Sequence, residues 1–145
     1  MGNVTESTTV NVPAADAFAQ WSRFEELPRF MDGVRNVDMI GDGMTHWTID
    51  IGGVTRDFDA RVLSVELDRR VAWASVDGPR HAGSVEFKPL GDHATQITAE
   101  VDIDPEGFVE NAADKLGVIN LRLKRDLEQF KILMENPMKP RDGLA

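Results

Sequence analysis

The chain has no cysteine and no tyrosine among its 145 residues. The first absence excludes disulfides, thiolate metal sites and a cysteine nucleophile. The second leaves few groups able to move a proton, since only three histidines stand beside the carboxylates. Positive charge is also scarce: 16 Lys and Arg face 25 Asp and Glu, a formal charge of −9. That balance argues against nucleic acid, whose phosphates need a basic face, and disfavours anionic membrane surfaces. No apolar run approaches roughly 18 residues, so stable membrane insertion is not expected. No N-terminal signal pattern is visible, and the chain reads as soluble and cytoplasmic. The length suits one domain with a real core. Three classes remain: a small-molecule binder, an enzyme acting on a small substrate, or a protein-interaction module.

The last quarter carries the strongest pattern. Val109, Ala112, Leu116, Ile119, Leu123, Leu127, Phe130 and Met134 form an apolar stripe of helical period. The spacing predicts one helix from about Glu106 to Glu135, about 45 Å long at 1.5 Å per residue. Gly117 interrupts it at a cost of about 1 kcal/mol relative to Ala, offset by a close approach or by a kink. A helix of that length needs a sheet curled around it, and a curled sheet gripping a helix encloses a cavity. Asn136-Pro137 stops the helix, so residues 1–136 read as the domain and 137–145 as a flexible tail.

Ahead of the helix the texture is that of strands. Val4, Glu6, Thr8, Val10 and Val12 alternate with mostly polar neighbours. Pro13 opens a helix through Trp21, and a shorter helical piece spans Glu25 to Phe30. Beyond Gly33, turn residues punctuate six further strands in a meander. A Gly52-Gly53 turn pairs Ile49 with Arg56 and Trp47 with Phe58. A turn at Asp68-Arg69 pairs Ser64 with Trp73 and Val62 with Ser75, and one at Gly91 to His93 pairs Phe87 with Ile97. Large apolar residues then face one another on a single side, as a fixed register requires. That inner face carries Val37, Trp47, Ile49, Phe58, Ala60, Val62, Trp73, Val85, Phe87, Ile97, Ala99 and Val101.

The segments VPAADAFAQWSRFEELPRFMDGV, HWTIDIGGVTRDFDARV, RVAWASVDGPRHAGSVEFKPLG and ADKLGVINLRLKRDLEQFKILME resemble the bacterial polyketide cyclase/dehydrase group of the START-like, or SRPBCC, superfamily. The resemblance covers about residues 3 to 135. It implies an α+β helix-grip fold: a seven-stranded antiparallel sheet wrapped around the C-terminal helix, with two small helices closing one end. Relatives include aromatase/cyclases, coenzyme Q-binding proteins and lipid-transfer proteins, so the fold does not fix one activity.

Polar residues on the inner face are the candidates for chemistry. By the registers above they are Arg35, Arg56, Ser64, Ser75 and His81. The Gly52-Gly53 and Asp77-Pro79 turns share one end of the meander, so Arg56 and His81 are expected to converge at a cavity mouth beside Arg80. There they either contact a ligand head group or snorkel to solvent and pair with Glu25, Glu26 or Glu106. His93 sits in a tight turn, and His46 faces outward opposite Asp59. Only His81 is left as a general base, with Arg56 as a candidate stabiliser of an enolate. No metal site is expected: His46 and Asp50 stand about 13 Å apart on one strand. No bound cofactor is implied.

The preferred reading is a carrier or binder of a hydrophobic lipid, quinone or polyketide-like molecule. Its cavity would lie between the sheet and Leu116, Ile119 and Leu123. Trp47, Ile49, Phe58, Trp73, Val85, Phe87 and Ile97 would line it, with Arg35, Arg56, Ser75 and His81 as polar contacts. A cyclase, aromatase or dehydratase is the alternative. A ligand-free interaction module is the third; it predicts a filled core and an exposed patch around Phe24, Leu27 and Phe30.

Overall fold

The computed structural model describes residues 2–109 and 114–136. Strand β1 (Gly2–Val10) is followed by helix α1 (Ala14–Trp21) and a 3₁₀ helix over Phe24–Arg29. Strands β2 (Val34–Gly41), β3 (Met44–Ile51), β4 (Val54–Glu66), β5 (Arg70–Ser75), β6 (His81–Pro89) and β7 (Thr95–Ile103) come next. Helices α2 (Pro105–Phe108) and α3 (Lys115–Glu135) end the described fold. The seven strands form one antiparallel sheet in the order β1-β7-β6-β5-β4-β3-β2. β1 and β2 are thus opposite edges. The segment between them must cross one end of the sheet, which is why two short helices stand there. This is the seven-stranded helix-grip arrangement, with α3 as the gripped helix.

Two hairpins have the expected registers. Ile51 pairs with Val54 and Trp47 with Phe58 across Gly52 and Gly53, both at positive φ, as a tight two-residue turn requires. Phe87 pairs with Ile97 across the Gly91 loop. The β4–β5 register differs from expectation. Glu66 pairs with Arg70 around a three-residue turn whose Asp68 sits at φ 60°. A bulge between Val62 and Ser64 then sets Val62 opposite Trp73, Ser64 opposite Ala72 and Ala60 opposite Ser75. Ser64 therefore leaves the inner face and bonds Glu66 at the surface.

The single long helix is two helices. Asp104 caps α2 through the Glu106 amide, and Val109 has extended φ and ψ. Asp114 caps α3, its carboxylate accepting from the Gly117 amide at 2.9 Å. Gly117 is thus in the first turn rather than mid-helix. A Cβ there would lie 2.4 Å from the other oxygen of the capping Asp114 carboxylate, so glycine serves the cap. The helix of 21 residues is about 31 Å long. Ala112 of the expected stripe and the tail from residue 137 lie outside the described residues.

The core lies between the inner sheet face and α3. Trp21, Trp47, Trp73, Phe30, Phe58, Phe108 and Phe130 are its largest fully buried side chains. Trp21, Phe30 and Phe130 form one cluster with centroids 4.8–4.9 Å apart. Trp47 stacks between Phe58 and Trp73 at 5.6 and 5.5 Å. Its indole N–H donates to Thr45, whose hydroxyl donates to the Ala60 carbonyl, so the buried nitrogen is satisfied. Phe24, Leu27 and Phe30 are all buried in this core, and the exposed patch expected around them does not exist. Their apolar spacing is that of a short helix roofing the sheet, not of a docking surface.

Candidate functional site

One cleft of about 60 Å³ opens between the sheet and the N-terminal half of α3. Ile49 and Ile51 of β3, Val101 and Ile103 of β7, and Ile119 and Leu123 of α3 supply its apolar walls. Met31, Gly33 and Val34, just before and at the start of β2, form one lip. Arg122 and Asp126 of α3 form the other, and His81 also lines the space. Larger hollows of about 270 Å³ on the outer sheet face and about 540 Å³ around the β4–β5 turn are open surface relief without a buried ionisable side chain.

His81 is the first residue of β6, and strand alternation turns it inward under α2. Its ring lies 5.1 Å from Phe58, nearly parallel, and 5.6 Å from Phe108, edge-on. Trp73 Nε1 donates to His81 Nδ1 at 3.1 Å, and the His81 amide donates to Ser75 Oγ at 3.0 Å. Burial pushes the imidazole down to about 4, so it is neutral at pH 7. Such a ring is a weak proton acceptor, which removes the main argument for His81 as general base.

Asp126 has the opposite character. It follows Leu123 by three residues and so shares the inward face of α3. Only 7% of it is exposed, and its Oδ1 accepts the Asp32 amide at 3.3 Å across the lips of the cleft. Burial, and then the charge of Asp32, push its carboxyl up to about 7; the Asp32 N–H bond and the charges of Arg122 and Arg125 oppose this. A carboxyl in that range exchanges a proton at neutral pH.

Of the expected site residues, Ile49, His81, Ile119 and Leu123 do line the cleft. Trp47, Phe58, Trp73, Val85, Phe87 and Ile97 face inward but are consumed in packing, each 4% exposed or less. Leu116 packs at the core margin beside Gly2. Ser75 holds the His81 backbone instead of meeting the cleft. The cationic mouth is not formed. A bulge between Val34 and Asn36 turns Arg35 outward to Asp50, at 3.1 Å. Arg56 folds over α2, donating from Nε to the Gly107 carbonyl at 2.7 Å, and Arg80 pairs with Asp102 at the surface. Arg56 thereby pins the helix whose Phe108 covers His81. Outside the cleft, His46 Nδ1 meets Asp59 at 2.7 Å on the outer face, which raises its pKa.

Asp126, Arg122 and the Met31–Val34 lip were not legible as site residues. The helical period that selects Leu123 also selects position 126, an acid inside an apolar stripe, and that was the available signal. Among the described residues no three His, Asp or Glu side chains are grouped to hold a metal ion, and no helix is long and apolar enough to cross a membrane.

Residues 10–131 match the family described as polyketide cyclase/dehydrase and lipid transport. An uncharacterized 17.2 kDa protein of Streptomyces lincolnensis, from the melC2-rnhH intergenic region, is 40% identical over 136 residues, 93% of this chain and 91% of that one. A crystal structure from Deinococcus radiodurans is similar at 25% identity and TM-score 0.73, covering 92% of this chain and 97% of that one. The Zhui aromatase/cyclase of Streptomyces sp. R1128 shares the fold at TM-score 0.77 and 16% identity, with 97% and 98% of the two chains covered. A START superfamily protein of Mycobacterium smegmatis does so at TM-score 0.68 and 14% identity, covering 93% and 95%. With its helix-grip sheet, gripped helix and cleft between them, the chain belongs to the polyketide cyclase/dehydrase and lipid-transport family.

Proposed function

We propose that this protein binds a small, mainly hydrophobic molecule in the cleft between its sheet and α3. The observation that carries the reading is the composition of that cleft: aliphatic walls around two buried polar side chains, neutral His81 and Asp126. Family membership supports ligand binding or cyclase activity, and the aliphatic lining favours a greasy ligand body with one or two polar atoms. A space of about 60 Å³ is well below the 300–1,000 Å³ of typical ligand sites, so a lipid, quinone or polyketide-like ligand must part the lips. The Asp32–Asp126 hydrogen bond is the polar contact that holds them together. Native mass spectrometry of freshly purified protein, with organic extraction, tests this. A stoichiometric adduct of a few hundred daltons is expected, and it should vanish in Ile119→Trp, whose indole fills the cleft. An adduct that persists in a folded Ile119→Trp protein rules the cleft out.

Asp126 favours a second reading, an enzyme of cyclase or dehydratase type. A buried carboxyl near pH 7 is a suitable proton donor and acceptor, which neutral His81 is not. Turnover of a linear poly-β-ketone substrate should then follow a single apparent pKa near 7 and fall at least 100-fold in Asp126→Asn. Unchanged turnover would exclude the carboxyl from the chemistry.

A further inference from the structure

We propose that Trp73 is a positioning residue: it fixes His81 as the tautomer carrying its proton on Nε2, so that the cleft presents a hydrogen-bond donor and selects ligands with a buried acceptor oxygen such as a carbonyl. The proposal rests on the reading of the cleft as a ligand site. An indole N–H is a donor without acceptor capacity. At 3.1 Å from Trp73 Nε1, His81 Nδ1 must therefore offer its lone pair, and the imidazole proton goes to Nε2. The ring stays neutral at pH 7, because burial holds its pKa near 4. Phe58 beneath it and Phe108 at its edge fix the ring plane, while Ser75 fixes the His81 backbone. His81 is 94% removed from solvent and lines the cleft; among the described residues Nε2 has no hydrogen-bond partner, yet the sealed unpartnered atoms are Trp21 Nε1 and Asp102 Oδ1, so Nε2 retains a narrow opening.

Gly83 makes the arrangement possible. It pairs with Trp73 across β5 and β6, and a Cβ at Gly83 would lie 2.6 Å from the indole Cζ2. The indole occupies that space and so reaches His81. Any larger residue at position 83 displaces it. The sequence thus supplies a donor (Trp73), a gap for it (Gly83), an acceptor nitrogen (His81) and a backbone tether (Ser75) on adjacent strands.

Long-range ¹H–¹⁵N spectra of the histidine rings, recorded on the full chain at pH 7, test the tautomer without any ligand. The wild type should show His81 protonated on Nε2 alone. Trp73→Phe should shift His81 toward the Nδ1–H form, and Gly83→Ala should do the same if the phenylalanine variant does not fold. A wild type protonated on Nδ1 overturns the proposal, as does an unaltered tautomer in a folded variant. Titration with 1-tetralone and with tetralin, its hydrocarbon counterpart, tests the selection. The ketone should bind at least tenfold more tightly and move the Nε2–H resonance. Equal affinities in the cleft overturn the selection. An Nε2–H form that responds to neither probe overturns the selection together with the ligand-site reading beneath it, leaving only the tautomer assignment.

Discussion

The two halves of α3 meet very different surroundings. Leu127 and Phe130, in the C-terminal half, are essentially inaccessible, and Phe130 closes an aromatic cluster with Trp21 and Phe30. Ile119 and Leu123 in the N-terminal half, with Asp126 at the middle of the helix, face aliphatic strand residues across the cleft. Large flat rings fill one end to interior density, whereas branched aliphatic side chains around two polar groups leave space at the other. One helix thus anchors the fold with its last turns and offers a site with its first.

That contrast can be broken at either end. Phe130→Ala should have the largest effect, a loss of about 3–5 kcal/mol in denaturant unfolding, because it empties a fully buried ring position. It should leave probe affinity at the cleft nearly unchanged. A small stability loss coupled to lost binding would invert the assignment of the two halves.

Asp126→Asn sharpens the comparison through pH. The folded-state pKa of Asp126 is raised from 3.8 to about 7, so between those values the native state holds a proton that the unfolded state has released. Its contribution therefore falls as pH rises through that window, by at most about 4 kcal/mol. His81 acts with the opposite sign: lowered to about 4, it contributes fully above 6.5 and loses that contribution as pH falls towards 4, by roughly 3 kcal/mol at most. The two slopes oppose each other in the wild type between pH 4 and 6.5. Asp126→Asn should be the more stable protein at pH 7, by about 2 kcal/mol or more, with stability rising more steeply from pH 4 to 6.5. A stability profile superimposable on that of the wild type would show that Asp126 is not held protonated.

The smallest effect belongs to the outer face. Asp59, through its hydrogen bond and charge, raises the pKa of His46, so this pair stabilises below the ordinary histidine value and is lost as pH rises through the raised one. The ring is 39% exposed, and solvent screening limits the contribution to below about 1 kcal/mol. His46→Gln should lower stability near pH 6 slightly and change nothing in the cleft.

The fold was legible where turn chemistry is explicit. Gly52-Gly53 and the Gly91 loop fix their registers, and helical and strand periods placed Ile49, His81, Ile119 and Leu123 on the inward faces. The errors have a common origin in local irregularity. Asp68 takes a left-handed turn position without being glycine, and the bulges beside Arg35 and Ser64 insert one residue each. A single inserted residue moves a charged side chain from the core to solvent, and nothing in composition announces it. The break before α3 lies in the extended backbone of Val109 and in Asp114, which caps α3 within an otherwise continuous stripe. Strand register puts Arg56 at the end of the sheet near the Gly52-Gly53 turn, but its bond to the Gly107 carbonyl depends on where α2 lies. Asp126 is hidden in the sequence because an apolar stripe is defined by its apolar members.

The central claim is that ligand occupies the N-terminal half of α3 and leaves the aromatic half alone. Methyl NMR of the full chain, titrated with 1-tetralone, tests it most directly. The methyl groups of Ile49, Ile103, Ile119 and Leu123 should shift together while Leu127, Val10 and Val37 stay still. Shifts centred on Leu127, or on the exposed Leu63 and Leu121, would contradict it.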